Sequence, residues 1–244
     1  MAIPKKDIKV IAFDADDTLW DCQSWFDEVE RRCGELLSRW VTPHEVSKGL
    51  FATEHANLPL TGYGTKAFTL SLIENAIRLS HGEIGGDDVM RLIDMGKELL
   101  RFPTTPLPEV QETLEQLAAL RRYRLVVFTK GELMDQEDKL RRSGLEQYFS
   151  HMETVSNKTV TEYRQLCENL GVAPEETLMV GNSFRSDIAP ALEAGAWAAH
   201  IPYHVVWALE KAEEFPHERL VKMTRFGELL GVLNLNDNVN KNDN

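Results

Sequence analysis

Asp14, Asp16 and Thr18 occupy alternate positions where a short apolar run stops, with Asp17 between the last two. Two carboxylates at this spacing can divide labour: one attacks an electrophile and the other moves a proton. Further polar groups stand at similar stops. Thr129 and Lys130 follow the apolar run 124–128, Lys158 precedes a helical stretch, and Gly181-Asn182-Ser183-Phe184-Arg185-Ser186-Asp187 follows the run 177–180. The carboxyl ends of strands in an open parallel sheet lie side by side, and ligands bind there. Singly, each feature is ordinary. A carboxylate pair after a strand commonly makes a turn or a helix cap, a threonine simply suits a strand, and a lysine is commonly solvated. Their order along the chain is what sets them apart.

The elements that must position these residues are legible from apolar spacing. Runs 8–13, 124–128, 177–180 and 197–201 are short, apolar and rich in strand formers, as buried strands are; 148–155 is looser. Helical spacing marks 109–120, 131–143, 159–170 and 187–194, the last three ended by Gly144, Gly171 and Gly195. Repeated strand–helix units predict an α/β fold, a Rossmann-like parallel sheet with helices on both faces.

Residues 20–102 read as helix after helix. Phe68, Leu72, Ile73, Ala76 and Ile77 recur at helical spacing, as do Val89, Leu92, Ile93, Gly96, Leu99 and Leu100. Asp87 and Asp88 suit the positive end of a helix. Pro103, Pro106 and Pro108 then punctuate the chain. The expected division is an α/β core from 1–19 and 104–234, an inserted helical domain over 20–103, and a disordered Asn- and Asp-rich tail over 235–244.

Composition narrows the function classes. Lys and Arg number 27 against 39 Asp and Glu, a formal charge of −12 over 244 residues. A nucleic-acid partner is not expected of such a surface, and an anionic substrate must be drawn in by a metal or a few placed cations. No apolar run suits a membrane span and residues 1–10 do not form a secretory leader, so a cytoplasmic protein is expected. Cys22, Cys33 and Cys167 lack metal or disulfide spacing and read as buried thiols.

In this order the motifs resemble those of the haloacid dehalogenase (HAD)-like hydrolase superfamily. Phe13-Asp14-Ala15-Asp16-Asp17-Thr18-Leu19 matches the first motif, Val126-Val127-Phe128-Thr129 the second, Lys158 the third, and Gly181-Asn182 through Asp187 the fourth. The resemblance implies the phosphatase branch, with an α-helical cap of the first type (C1) inserted after the first motif. It implies Asp14 as nucleophile forming an aspartyl-phosphate and Asp16 as general acid and then base. Lys158 would balance the carboxylates. Thr18, Thr129 and Lys130 would bind the substrate. Mg²⁺ would be held by Asp14, Asp16 through its backbone carbonyl, Asn182 and Asp187. The implied partner is a small phosphorylated metabolite, with no nucleic acid and no membrane, on a monomer or small homo-oligomer. Asn182 departs from the pattern, which carries Asp there; a neutral amide oxygen still ligates a metal, with less charge. A phosphomutase, a haloacid dehalogenase and a non-catalytic relative are the rival readings, and Asp16 opposes the dehalogenase.

Two cap residues complete the expected site. Tyr63 and Lys66, in the glycine-bearing loop 60–66, could reach a substrate's polar groups; the competing reading packs Tyr63 inside the cap and leaves Lys66 solvated. Asp17 is expected to be structural, and Asp7, Asp21 and Asp27 to lie on the surface. Trp20, Trp25 and Trp40 are expected to bury against the core–cap hinge or within the cap, and His200 and His204 to be structural or solvent-facing.

Overall fold

The computed structural model describes residues 8–233. In chain order the elements are β1 (Val10–Phe13), α1 (Gln23–Leu36), α2 (Pro43–Thr61), α3 (Thr65–Leu79), α4 (Gly86–Leu99), α5 (Val110–Ala119), β2 (Arg124–Lys130), α6 (Leu133–Ser143), β3 (His151–Val155), α7 (Val160–Leu170), β4 (Thr177–Gly181), α8 (Ala189–Ala194), β5 (Trp197–His200), β6 (Leu220–Lys222) and α9 (Glu228–Val232). The six strands form one sheet in the order β3-β2-β1-β4-β5-β6. Every neighbouring pair is parallel. This is the Rossmann-like α/β fold.

Alternation along each strand fills two layers. Ile11, Phe13, Leu125, Val127, Leu178 and Val180 face a cluster completed by α5 and α9. Val10, Ala12, Val126, Phe128 and Met179 face the other side, against Tyr163 and Leu166 of α7 and Ala191 of α8. The strand order reverses about β1: the chain runs outward through β2 and β3, then crosses back to β4. The crevice between β1 and β4 is therefore the switch point of the sheet, where such folds bind ligands.

Helices α1–α4 close round an apolar cluster of their own, including Val29, Leu50, Phe68, Leu72 and Leu92. Thr42 and Glu45 form a capping box at the start of α2, with Pro43 in its first turn. The chain leaves and re-enters the core through adjacent connectors: Leu107 N–H bonds Leu19 O at 2.9 Å, and Trp20 bridges both Asp16 and Pro106. Trp20 is buried in the core as expected, but Trp25 stays exposed where it stacks on Phe102, and Trp40 is only partly buried and donates to Glu83.

Two elements were not anticipated from apolar spacing. The three-residue β6 extends the sheet past β5, and α9 packs Leu229 into the core. The expected helix 187–194 opens instead as a π-helical turn over Phe184–Ile188, with α8 after it. The readings of Asp7, of residues 1–7 and of the tail 235–244 lie outside the described residues. Among the described residues no helix is long and apolar enough to cross a membrane.

Candidate active site

The chain turns sharply where β1 ends. Thr18 and Leu19 N–H groups both bond Ala15 O, and Asp17 takes a left-handed conformation at φ 62°. Aspartate tolerates that conformation better than most side chains. Asp17 then accepts N–H bonds from Cys22 at 2.8 Å and Gln23 at 2.9 Å, satisfying donors at the start of α1. Burial raises its pKa to about 7. It works as the hinge's internal cap, in keeping with a structural role.

Asp14 sits at the end of β1, buried beside two groups from distant strands. Lys158 Nζ lies 2.5 Å from Asp14 Oδ1 and 2.7 Å from Asp187 Oδ1. Lys158 is placed by the residue after it: Thr159 caps α7 in a capping box with Glu162. Asp187 is held on its other oxygen by the Ser183 N–H at 2.9 Å, and its backbone carbonyl accepts the Tyr163 hydroxyl at 2.7 Å. Its carboxylate lies so close over Gly181 that a Cβ there would meet Oδ2 at 2.3 Å. Burial first, and then the charge of Asp187, raise Asp14 to about 7, with Lys158 opposing. Burial would discharge Lys158; the two carboxylates outweigh it and keep the ammonium charged.

A match to the family model described as haloacid dehalogenase-like hydrolase spans residues 8–195, from the start of β1 past this cluster. The chain belongs to the haloacid dehalogenase-like hydrolases. It is similar to curated proteins named glyceraldehyde 3-phosphate phosphatase. One, from Methanothermobacter thermautotrophicus, is 26% identical over 208 residues, covering 77% of this chain and 83% of the relative. Another, from Methanopyrus kandleri, is 27% identical over 203 residues, covering 77% and 81%. A solved haloacid dehalogenase-like family hydrolase from Xanthomonas campestris superposes with a TM-score of 0.82 at 31% identity, covering 93% of this chain and 92% of that one.

In this hydrolase Asp16 is held apart from the Asp14 cluster, by groups that sequence reasoning missed. Trp20 Nε1 donates to Oδ1 at 2.8 Å and Gln136 Nε2 to Oδ2 at 2.8 Å, while Lys139 Nζ lies 3.2 and 3.1 Å from the two oxygens. Burial pushes Asp16 up, but Lys139 and the two hydrogen bonds outweigh it and hold the carboxyl below its usual range. Lys139 is buried, and Asp135 one turn earlier lies 3.5 Å from the same ammonium. Asp135, Gln136, Lys139 and Leu140 all turn inward from α6. The stretch reads as helical in the sequence, but nothing in its spacing singles out these polar members as inward-facing.

The remaining expected residues divide. Thr18 and Thr129 are buried, and Thr129 lines the same cavity as Asp14 and Asp16. Lys130 lines it too, but its ammonium is taken by Glu210 at 2.5 Å and Ser186 at 2.8 Å, and lies 4.1 Å over the Tyr63 ring. Tyr63 forms part of the wall and meets Trp207 edge-on at 5.8 Å. Lys66 does not line the cavity; it pairs with Glu132 on a half-exposed surface. Trp207 and Glu210 come from a segment with no periodicity to mark it. His200 is buried, with Nε2 3.0 Å from Asn182 O, so it supports the turn that carries Asn182. Asp27 lines the cavity mouth and is exposed, bonded by Gln23 Nε2 at 2.8 Å.

The oxygen donors suit a magnesium ion. Mg²⁺ takes hard oxygen ligands, usually only one or two carboxylates, and leaves other positions to water and substrate. Among the described residues no three His, Cys, Asp or Glu side chains converge as a ready-made cage. Asp14 Oδ2 and Asn182 Oδ1 do converge, each 3.2 Å from the Thr18 hydroxyl. One hydroxyl proton cannot serve both acceptors, so lone pairs remain for a cation. Two buried carboxylates on one ammonium leave a negative excess at Asp14, which a divalent ion would neutralise. Asp187, bonded on both oxygens, stands behind this pair.

Proposed function

We propose that this hydrolase is a Mg²⁺-dependent phosphomonoesterase acting on a small phosphorylated metabolite through an aspartyl-phosphate on Asp14. The single observation that carries the reading is that Asp16, a second carboxylate, lines the same cavity as Asp14 while being tethered separately by Lys139, Gln136 and Trp20. A carboxylate nucleophile alone suffices for attack; a second one beside it answers the need of an ester oxygen for a proton. The phosphatase names of the two curated relatives agree with it.

In this reading each residue has a distinct role. Asp14 attacks phosphorus, forming the acyl-phosphate bond as the ester P–O bond breaks. Asp16 gives a proton to the departing alkoxide. Asp16 is ionised beside Lys139 in the free enzyme, so it takes up that proton from solvent as the phosphoryl dianion arrives, since a neighbouring negative charge favours the protonated acid. Asp16, ionised again, then takes a proton from water as the water attacks the aspartyl-phosphate, releasing phosphate and restoring Asp14. Lys158 holds Asp14 in line, and Thr129 contacts phosphoryl oxygens. Mg²⁺, held by Asp14, Asn182 and the Asp16 backbone carbonyl with Asp187 behind, would supply positive charge to the phosphoryl oxygens. Helices α1–α4 act as the cap over a core of residues 1–19 and 104–234, supported by their separate apolar cluster and by the cavity walls they share with the core. A cap of this kind excludes water during transfer.

The test is hydrolysis of p-nitrophenyl phosphate with Mg²⁺, with EDTA, and by Asp14→Asn, followed by glyceraldehyde 3-phosphate and other small esters. Metal-dependent turnover lost in both controls is expected. Turnover that survives Asp14→Asn would overturn the nucleophile assignment.

A further inference from the structure

The cavity wall supplied by the helical block is built from two stripes. Phe26 and Glu30 lie one turn apart on α1, and Glu54, Leu58 and Thr61 follow one face of α2. Tyr63, Phe68 and Trp207 add ring surface. Glu54 accepts the Trp207 indole N–H, and the charge of Glu30 repels it. Burial and that repulsion raise the Glu54 pKa to about 7. The two cations that line the cavity are already committed: Lys130 to Glu210 and Lys139 to Asp16. At the Asp16 end of the cavity, Gln136 Nε2 serves Asp16 and the Lys130 carbonyl, and its Oε1 is fully buried without a donor.

These observations have one sign. Beyond the phosphoryl end, the cavity offers acceptors, aromatic faces and uncompensated negative charge. A ligand that fits must bring N–H donors and positive charge. An ammonium would neutralise the Glu30–Glu54 repulsion, and aromatic rings attract such a cation through their faces. A neutral polyol could donate hydrogen bonds but would leave the repulsion in place, and a carboxylate would add to it. The cavity volume of about 200 Å³ keeps the leaving group short, since pockets for drug-sized ligands begin near roughly 300 Å³.

We propose that the cavity selects phosphomonoesters of short amino alcohols, with Glu30 and Glu54 receiving the ammonium while the phosphoryl group lies at Asp14. The proposal rests on the phosphatase reading for its catalytic end, and its test separates the two. Three esters of matched size are compared: O-phosphoethanolamine, 2-hydroxyethyl phosphate and phosphoglycolate. The expected order of kcat/KM is ammonium, then neutral, then carboxylate. The ammonium ester should exceed the neutral one by about tenfold, equivalent to about 1.4 kcal/mol. In Glu54→Gln and in the double variant with Glu30→Gln that ratio should collapse towards one. Equal or reversed preference in the unmodified enzyme overturns the proposal, as does a ratio that survives both substitutions.

Calorimetric binding of the same esters provides the arm independent of turnover. If no ester is hydrolysed, the phosphatase reading fails, yet O-phosphoethanolamine should still bind more tightly than 2-hydroxyethyl phosphate and lose that advantage in the double variant. Equal binding of the two, or binding of neither, overturns the ammonium site.

Discussion

Lys139 Nζ lies 3.1 Å from Asp16 Oδ2 and 3.2 Å from Oδ1, joining residues 123 positions apart. Lys139 is almost wholly enclosed, whereas Asp16 keeps a face on the cavity. Removing the ammonium leaves Asp16 and Asp135 as neighbouring carboxylates with no cation between them. Lys139→Met should therefore lower unfolding free energy by about 3 kcal/mol, the lower end for breaking a buried pair. Part of that loss should return in Asp16→Asn/Lys139→Met, because one of the two uncompensated carboxylates is gone. Urea unfolding in EDTA measures both. A single-variant change within roughly 0.5 kcal/mol, the range of surface substitutions, would mean that the pair does not organise the site.

Gly181 predicts a different failure. Its missing side chain is the space occupied by the Asp187 carboxylate, with Cγ 2.5 Å from where a Cβ would stand. The Asp187 Cβ would lie as near, at 2.6 Å, and this root of a short side chain can yield little. Gly181→Ala should cost roughly 1–3 kcal/mol of stability through overpacking. Its larger effect should be on turnover, because a displaced Asp187 releases Lys158 from its second carboxylate. Thermal melting together with p-nitrophenyl phosphate hydrolysis checks this; full activity in a destabilised protein would show that the Asp187–Lys158 contact is dispensable.

Much of this architecture was legible in the sequence, for identifiable reasons. β1, β2, β4 and β5 are uninterrupted apolar runs because both faces are covered, and the polar residues that end them mark the site directly. Asp14, Lys158 and Asp187 could thus be brought together before any coordinates. Lys139 could not. It lies among Asp135, Glu137, Asp138, Arg141 and Arg142 on a highly charged helix, and the distant Asp16 together with Asp135 makes its burial favourable. β6 is three half-buried or exposed residues flanked by charge, without a periodic pattern. Trp207 and Glu210 enter the wall from an irregular segment, and Tyr63, in the turn between α2 and α3, and Lys66, in the first turn of α3, part ways because only tertiary packing decides which one faces the cavity.

Glu54 offers a pH signature. Its pKa is raised from 4.5 to about 7 in the folded protein by burial and by Glu30. The folded state therefore binds more protons than the unfolded state between those values, so this group's contribution to stability is present below pH 4.5 and is lost as pH rises through about 7. Glu54→Gln removes the titration. The variant's melting temperature relative to the parent should rise between acidic and mildly alkaline buffer. An offset that stays constant across that range would show that Glu54 titrates normally.

Asn182 supplies the last prediction, because its amide oxygen shares the Thr18 hydroxyl with Asp14 Oδ2. Asn182→Asp keeps the shape and adds a full charge next to a carboxylate already raised to about 7. Without a divalent ion the change should destabilise the protein and push Asp14 further up. With Mg²⁺ the added charge should strengthen binding, since ligand charge count tunes affinity for hard cations. The melting temperature should consequently fall in EDTA and rise more steeply on Mg²⁺ titration, and half-maximal activation should occur at lower Mg²⁺. The Thr18 hydroxyl can satisfy an aspartate there as well as the amide, so folding of the turn is preserved. Unchanged Mg²⁺ dependence in both melting and activity would place the cation away from residue 182 and leave Asp14 without the proposed neighbour in the metal's shell.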